Sequence, residues 1–303
     1  MQDILYLKNP NSQNAANDLF GESVEKIREI TYGSPIVFKA KDIIFVDGSI
    51  VKEKKPLDTK KPEGTFVLIT DQDNEHFLKQ LASYPSFSHV ICKESETFNQ
   101  EVQSFLRFHT SRKSSDFFGD VNWHEPISLT NSDAKYSIYN QVADYIDENH
   151  RVFTEFSDIV TTACSELLSN AFHDAPRDTS TGEPLYPERD KKVELPPPHK
   201  VTFQFGSCEN EHFWIKVNDT FGTFRKNRLF EALSRAATDR KALVQAKGGA
   251  GLGLLMMLNW SSAMYFEFQE DKSTTVYCKF KITRRRKKFD NHTSHLHVIL
   301  PAS

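Results

Sequence analysis

Lys247–Leu258 reads KGGAGLGLLMML, four glycines within seven residues followed by an apolar helical run. Gly248, Gly249, Gly251 and Gly253 open backbone conformations closed to other residues and let the main chain approach a ligand closely. The helix behind them offers unpaired N–H groups and the positive end of its dipole, a combination suited to a phosphate group. The two commonest phosphate patterns do not fit. The stretch lacks GxxxxGK[ST], and it does not follow a strand as a dinucleotide fingerprint should. A tight glycine turn kept for packing alone is the bland alternative.

Upstream, HFWIKVND alternates as a strand and ends at Asp219, with a turn at Gly222. An acid in that place is by itself most simply a turn former. Further upstream lies the helical pattern around SELLSNAFHDAP. Val160, Ala163, Cys164, Leu167, Leu168 and Ala171 form an apolar stripe, and Glu166, Asn170 and Asp174 fall four apart on a neighbouring one. A solvated face would explain that second stripe, although asparagine in mid-helix is a poor helix former. Between Asp219 and the glycines, Arg225, Lys226, Arg228, Arg235, Arg240, Lys241 and Lys247 face only Glu231 and Asp239, a basic segment able to neutralise phosphate. Lys247, next to the loop, is the member singled out for that role.

The order and spacing of these parts resemble the GHKL, or Bergerat-fold, ATPase family, which includes histidine kinases, anti-sigma-factor serine kinases, gyrase-type topoisomerases and certain chaperones. The resemblance covers roughly Glu125 to Ile282. It implies a C-terminal α/β sandwich, a mixed sheet with helices on one face, and ATP and Mg²⁺ as cofactors. Asn170 matches the asparagine that would ligate Mg²⁺, and Glu166 the acid that orients and deprotonates an attacking water or hydroxyl. Asp219 matches the acceptor of the adenine amino group. Gly249, Gly251, Leu252 and Gly253 match the glycine box around the phosphates, and Thr275 a threonine near the adenine. The usual DxGxG is replaced by DTFGT, with Gly222 between the expected positions. Asp174 stands where many members carry histidine or tyrosine; it either adds a carboxylate near the metal or caps the helix end before Pro176, the cap being the favoured reading.

Composition bounds the rest. A chain of 303 residues at ~150 per domain suggests two domains. With 38% hydrophobic and 26% charged residues and a net charge of −3, it reads as an ordinary soluble protein rather than a nucleic-acid coat. The four cysteines form no CxxC pair. MQDILYLKNP lacks a targeting pattern and no apolar run reaches the ~18 residues of a membrane span, so the cytoplasm is the expected compartment.

The overall expectation is an α+β chain, with a small α/β domain at 1–118 and the ATPase-like domain at 119–303. In the first domain, ILYL, IVF, IIFV, FVLIT and HVIC read as strands, with helices over NAANDLFGESVEKIREI, NEHFLKQLA and FNQEVQSFLRF. HTSRKSSDFFGD, His109 to Asp120, reads as a polar linker, and the proline-rich stretch from Pro176 to Lys200 as an irregular surface loop. Asp47, Thr70 and Lys93 end successive strands and resemble the active residues of receiver domains, but ILYLKN has Lys8 and Asn9 where an acid pair should stand. A degenerate receiver and a plain interaction domain both stay open. His109 and His124 read as surface histidines rather than phosphoacceptors, RRRKK (284–288) as a solvated strand exit, and HTSHLHVIL as an added edge strand.

The leading function is ATP·Mg²⁺ binding in a signalling protein, with phosphoryl transfer to a Ser/Thr or His of an unidentified protein partner. A module that senses ATP and sequesters a partner without turnover is the alternative, and an empty-pocket scaffold a third. Neither nucleic acid nor membrane is expected as a partner, and a homodimer is compatible with the sequence.

Overall fold

The computed structural model describes residues 3–11, 15–21, 24, 27–33, 42–52, 64–71, 74–178, 180–208, 211–238, 251–290 and 293–300. Its first part contains β1 (Ile4–Lys8), α1 (Ala16–Phe20), β2 (Arg28–Thr31), β3 (Ile43–Asp47), α2 (Gly48–Lys52), β4 (Thr65–Thr70), α3 (Asn74–Gln80), β5 (Phe87–Cys92) and α4 (Phe98–Ser111). These strands lie parallel in the order β2-β1-β3-β4-β5. IIFVD and TFVLIT are covered on both faces, which is why they read as continuous apolar runs. Among the described residues of the stretch expected as a helix (14–30), Ala16–Phe20 is helical and residues 28–30 belong to β2 instead. As an edge strand β2 leaves Arg28 and Glu29 in solvent, so its sequence carries little of the buried-strand pattern. IVF, 36–38, lies outside the described residues.

The second part contains β6 (Asn122–Trp123), β7 (Ile127–Leu129), α5 (Lys135–Asn149), α6 (Phe156–Ser169), β8 (Val201–Cys208), β9 (His212–Asp219), α7 (Lys226–Thr238), α8 (Leu252–Trp260), β10 (Ala263–Gln269), β11 (Ser273–Lys281), α9 (Arg286–Asp290) and β12 (His295–Ile299). β8, β9, β11 and β10 pair antiparallel in that order, and β6 and β7 both pair with β8. The tail strand β12 is not at an edge. It runs parallel to β10 on one side and antiparallel to β5 on the other, joining both parts into one mixed twelve-stranded sheet. HLHVI is buried throughout because its histidines find partners inside: the Cys92 N–H donates to His295 Nδ1 at 3.1 Å, and His297 Nε2 lies 3.2 Å from Glu101 Oε1.

Side-chain alternation builds one hydrophobic layer on each face of this sheet. Phe213, Ile215 and Val217 of β9, with Met264, Phe266 and Phe268 of β10, pack beneath α5, α6, α7 and α8; Ile44, Val46, Phe66 and Leu68 extend that layer beneath α2 and α3. Trp214, Tyr265 and Tyr277 point the other way and join Phe45, Phe105 and Phe108 under α1 and α4. The expected linker at His109–Asp120 belongs to this second layer. α4 continues to Ser111, Ser114–Phe117 makes a 3₁₀ turn, and Phe117 and Phe118 are buried against Tyr265, Tyr277 and Trp214. The polar SRKSSD in front of these rings concealed their packing. His109 is likewise buried rather than on the surface, whereas His124 is exposed and stacks on Phe205.

A polar cluster crosses the seam. Glu101 of α4 accepts the Tyr265 hydroxyl at 2.6 Å and lies 3.5 Å from Lys279 Nζ. Burial alone would raise the Glu101 pKa, but Lys279 and His297 outweigh it and hold the carboxyl well below its usual range. Among the described residues no helix is long and apolar enough to cross a membrane.

Candidate functional site

α6 is anchored at its start by Phe156, which packs on Phe153 and Phe289, and its apolar stripe faces the sheet. Its last turn widens into a π-helical turn over Asn170–Asp174, closed by the Ala175 N–H to the Asn170 carbonyl at 2.9 Å. Such insertions occur often at functional sites. Neither Glu166 nor Asn170 makes a side-chain hydrogen bond among the described residues, and both face a cavity of about 350 Å³.

β9 delivers Asp219 to the same cavity, opposite Thr274 in the register with β11. Asp219 Oδ1 accepts the amides of Phe221 at 2.9 Å and Gly222 at 3.1 Å, folding the chain sharply after the strand. Gly222 has φ +59°, and a Cβ there would lie 2.5 Å from the Lys272 nitrogen, so DTFGT has its own structural need for that glycine. Thr223 Oγ1 then donates to the Ala175 carbonyl at 2.6 Å and ties this turn to the end of α6. Burial pushes the Asp219 carboxyl up to about 6, against the lowering effect of the Phe221, Gly222 and Thr274 contacts.

The glycines meet close neighbours. At Gly251, φ is +113° and a Cβ would stand 2.5 Å from the Ala232 carbonyl oxygen, so glycine lets α8 begin against α7. At Gly253 a Cβ would stand 2.2 Å from Glu166 Oε2; the missing side chain is the space that the carboxylate occupies. Both glycines line the cavity.

Glu166, Asn170, Asp219, Gly251 and Gly253, expected from separate stretches, are therefore brought together. Lys247, Gly248 and Gly249 lie outside the described residues, as do Arg240 and Lys241 of the basic segment. Leu252 starts α8 but does not line the cavity, whereas Leu254, two residues on, does. Thr275 is turned away. Its hydroxyl accepts from Asn218 Nδ2 at 2.9 Å, and Thr274 lines the cavity instead, beside Asp219. The signal was present, since Thr274 shares strand parity with the core residues Cys278 and Phe280.

The expected cap role of Asp174 is also corrected: its carboxylate pairs with Arg189 and lines the cavity, with its pKa raised by burial. Arg177 and Arg189 come from the irregular Pro176–Lys200 stretch, and Arg228 and Arg235 from α7, giving the cavity wall four guanidinium groups. Arg225, by contrast, pairs with Glu270 and Asp271 on the β10–β11 turn, and Lys226 Nζ donates to Ser88 Oγ at 3.0 Å.

Among the described residues no group of three or more His, Cys, Asp or Glu side chains is placed to cage a metal. The oxygens of Asn170, Glu166 and Asp174 suit a hard cation that draws the rest of its shell from phosphate and water. In the first part, Tyr6 donates to Asp47 Oδ2 at 3.0 Å, Ser49 N and Oγ donate to Oδ1 at 2.9 and 2.7 Å, and Lys93 pairs with Asp71 at 3.2 Å. The aspartate resembling a phosphoacceptor is thus engaged by neighbours.

Neither protein-family models nor curated proteins give a match to this chain.

Proposed function

We propose that the cavity binds ATP with Mg²⁺ and that the protein is a signalling kinase or ATPase of the Bergerat type, its sandwich formed by α5–α8 on β8, β9, β11 and β10. One observation carries this reading: three stretches far apart in sequence, contributing Glu166 with Asn170, Asp219, and Gly251 with Gly253, line a single cavity. In it, Asp219 and Thr274 take the adenine edge, with Val217, Phe224, Phe266 and Val276 as apolar surface around the base. A carboxylate accepts the amino group of adenine and repels the carbonyl of guanine, a contact worth roughly 1.5–3 kcal/mol. The backbone at 251–253 and the arginines of α7 take the phosphates.

Asn170 would hold Mg²⁺, which when bound neutralises phosphate charge. Glu166 receives the proton of the attacking water or Ser/Thr hydroxyl as that oxygen bonds to the γ-phosphorus and the bond to the bridging oxygen breaks, releasing ADP. The parallel order β2-β1-β3-β4-β5 is that of flavodoxin-like doubly wound sheets and supports reading the first part as a degenerate receiver. With Asp47 held by Tyr6 and Ser49, its role is packing and contact rather than phosphoacceptance.

Titration calorimetry with ATP·Mg²⁺ and GTP·Mg²⁺, alongside an ADP-release assay, tests the reading. The expected result is adenine-selective binding, with Glu166→Gln retaining affinity and losing turnover. Binding without turnover in the wild type would favour the sensing module, and no adenine-specific binding at all would leave a scaffold.

A further inference from the structure

α7 carries two different stripes. Arg228, Glu231, Ala232 and Arg235, at i, i+3, i+4 and i+7, line the nucleotide cavity. Lys226, Phe230 and Ser234 are spaced by four, and Lys226 and Ser234 bond to the first part of the chain. Lys226 Nζ lies 5.4 Å over the Phe230 ring and donates to Ser88 Oγ on β5, and Ser234 Oγ donates to the Lys79 carbonyl at the end of α3, 2.7 Å away. The helix also packs on α3 and on the 3₁₀ turn Leu81–Ser83 that follows it.

We propose that α7 couples the first part of the chain to the nucleotide cavity: the fit of its Lys226–Ser234 stripe on β5 and α3 sets where its Arg228–Arg235 stripe meets the phosphates. The inference rests on the ATP reading and adds a regulatory input to that same site.

A helix of thirteen residues, about 20 Å long, moves as a rigid body, so a shift imposed on one stripe reaches the other undiminished. Elsewhere the two parts are joined by the backbone ladders of β12 and by the buried packing of α4 around Glu101, Lys279 and Tyr265, which leave little play. On α7 the junction is made by side chains alone. Its cation is only weakly compensated, because burial lowers the Lys226 ammonium to about 8 and no carboxylate offsets that cost among the described residues. A marginal contact of this kind is readily shifted by whatever docks on or reshapes α3. Coupling is reciprocal, so nucleotide in the cavity must in turn alter the packing of α3.

Full-length protein is titrated with a non-hydrolysable ATP analogue and Mg²⁺ as wild type, Lys226→Met, Lys226→Arg and Ser88→Ala. Lys287→Met, which alters an exposed cation on α9, serves as the control. Ser88→Ala removes the acceptor hydroxyl without touching α7 and guards against a folding defect in the lysine variant. The expected result is affinity weakened about fivefold or more in Lys226→Met and Ser88→Ala, recovered in Lys226→Arg and unchanged in the control. Hydrogen exchange over residues 74–83 should slow when the analogue binds, a readout that a purely structural role of Lys226 would not produce. Affinities within about twofold of wild type, or exchange at 74–83 indifferent to nucleotide, would overturn the coupling while leaving the ATP reading intact. A wild type that binds no adenine nucleotide would remove that reading and this inference with it.

Discussion

Replacing Asp219 with asparagine should stabilise the nucleotide-free protein above pH 6 while removing its preference for adenine. Asp219 is 6% exposed, and burial lifts its pKa from 3.8 to about 6. The native state therefore binds more protons than the unfolded chain between those values, so the aspartate's cost grows as pH rises through that window and is complete above it. Two pK units correspond to roughly 3 kcal/mol. Asparagine stays neutral throughout, and its side-chain oxygen can still accept the Phe221 and Gly222 amides that fold the turn. Urea unfolding of both proteins should show the variant more stable by about 2–3 kcal/mol at pH 8, with most of that advantage gone at pH 4.5. Thermal melts with ATP·Mg²⁺ should show the ligand raising the wild-type midpoint and leaving that of the variant unmoved. Equal stability at pH 8, or a gain independent of pH, would refute the argument that Asp219 is a buried charge kept for a ligand.

Gly253→Ala places a methyl where the Glu166 carboxylate sits, so the carboxylate must swing away; ADP release should fall at least tenfold with nucleotide affinity changed much less, as turnover and titration measured side by side would reveal. Gly251→Ala combines a positive φ with a clash against the Ala232 carbonyl, and should lower stability by about 1–3 kcal/mol in urea unfolding. Glu101→Gln leaves Lys279 buried at the seam without its carboxylate; a loss of about 3–5 kcal/mol is expected, and one below about 1 kcal/mol would mean that the cluster carries little of the joint.

The site was more legible in the sequence than the frame that holds it. Glu166 and Asn170 stand one helical turn apart, Asp219 closes an alternating strand and the glycines are dense, but each feature alone has a bland reading; their order along the chain, through its resemblance to the Bergerat fold, singles them out. The family match points to Thr275, whereas the alternation of Thr274, Val276, Cys278 and Phe280 turns Thr274 toward the cavity. Arg177 and Arg189 lie in a stretch without periodicity, and nothing local tells which of its cations turns inward. The joining of the two parts was hidden for another reason. HLHVI resembles an edge strand until its histidines are seen to meet Cys92 and Glu101, and Phe117 and Phe118 follow a polar run whose burial depends on a sheet assembled from the other part of the chain. Long-range pairing of that kind leaves little trace in local composition.

The most direct measurement is a crystal structure of the protein with a non-hydrolysable ATP analogue and Mg²⁺. The account predicts the adenine amino group within hydrogen-bond distance, about 3 Å, of the Asp219 carboxylate, with the phosphates against the backbone at 251–253. An analogue bound elsewhere, or one whose base lies away from Asp219, would contradict it.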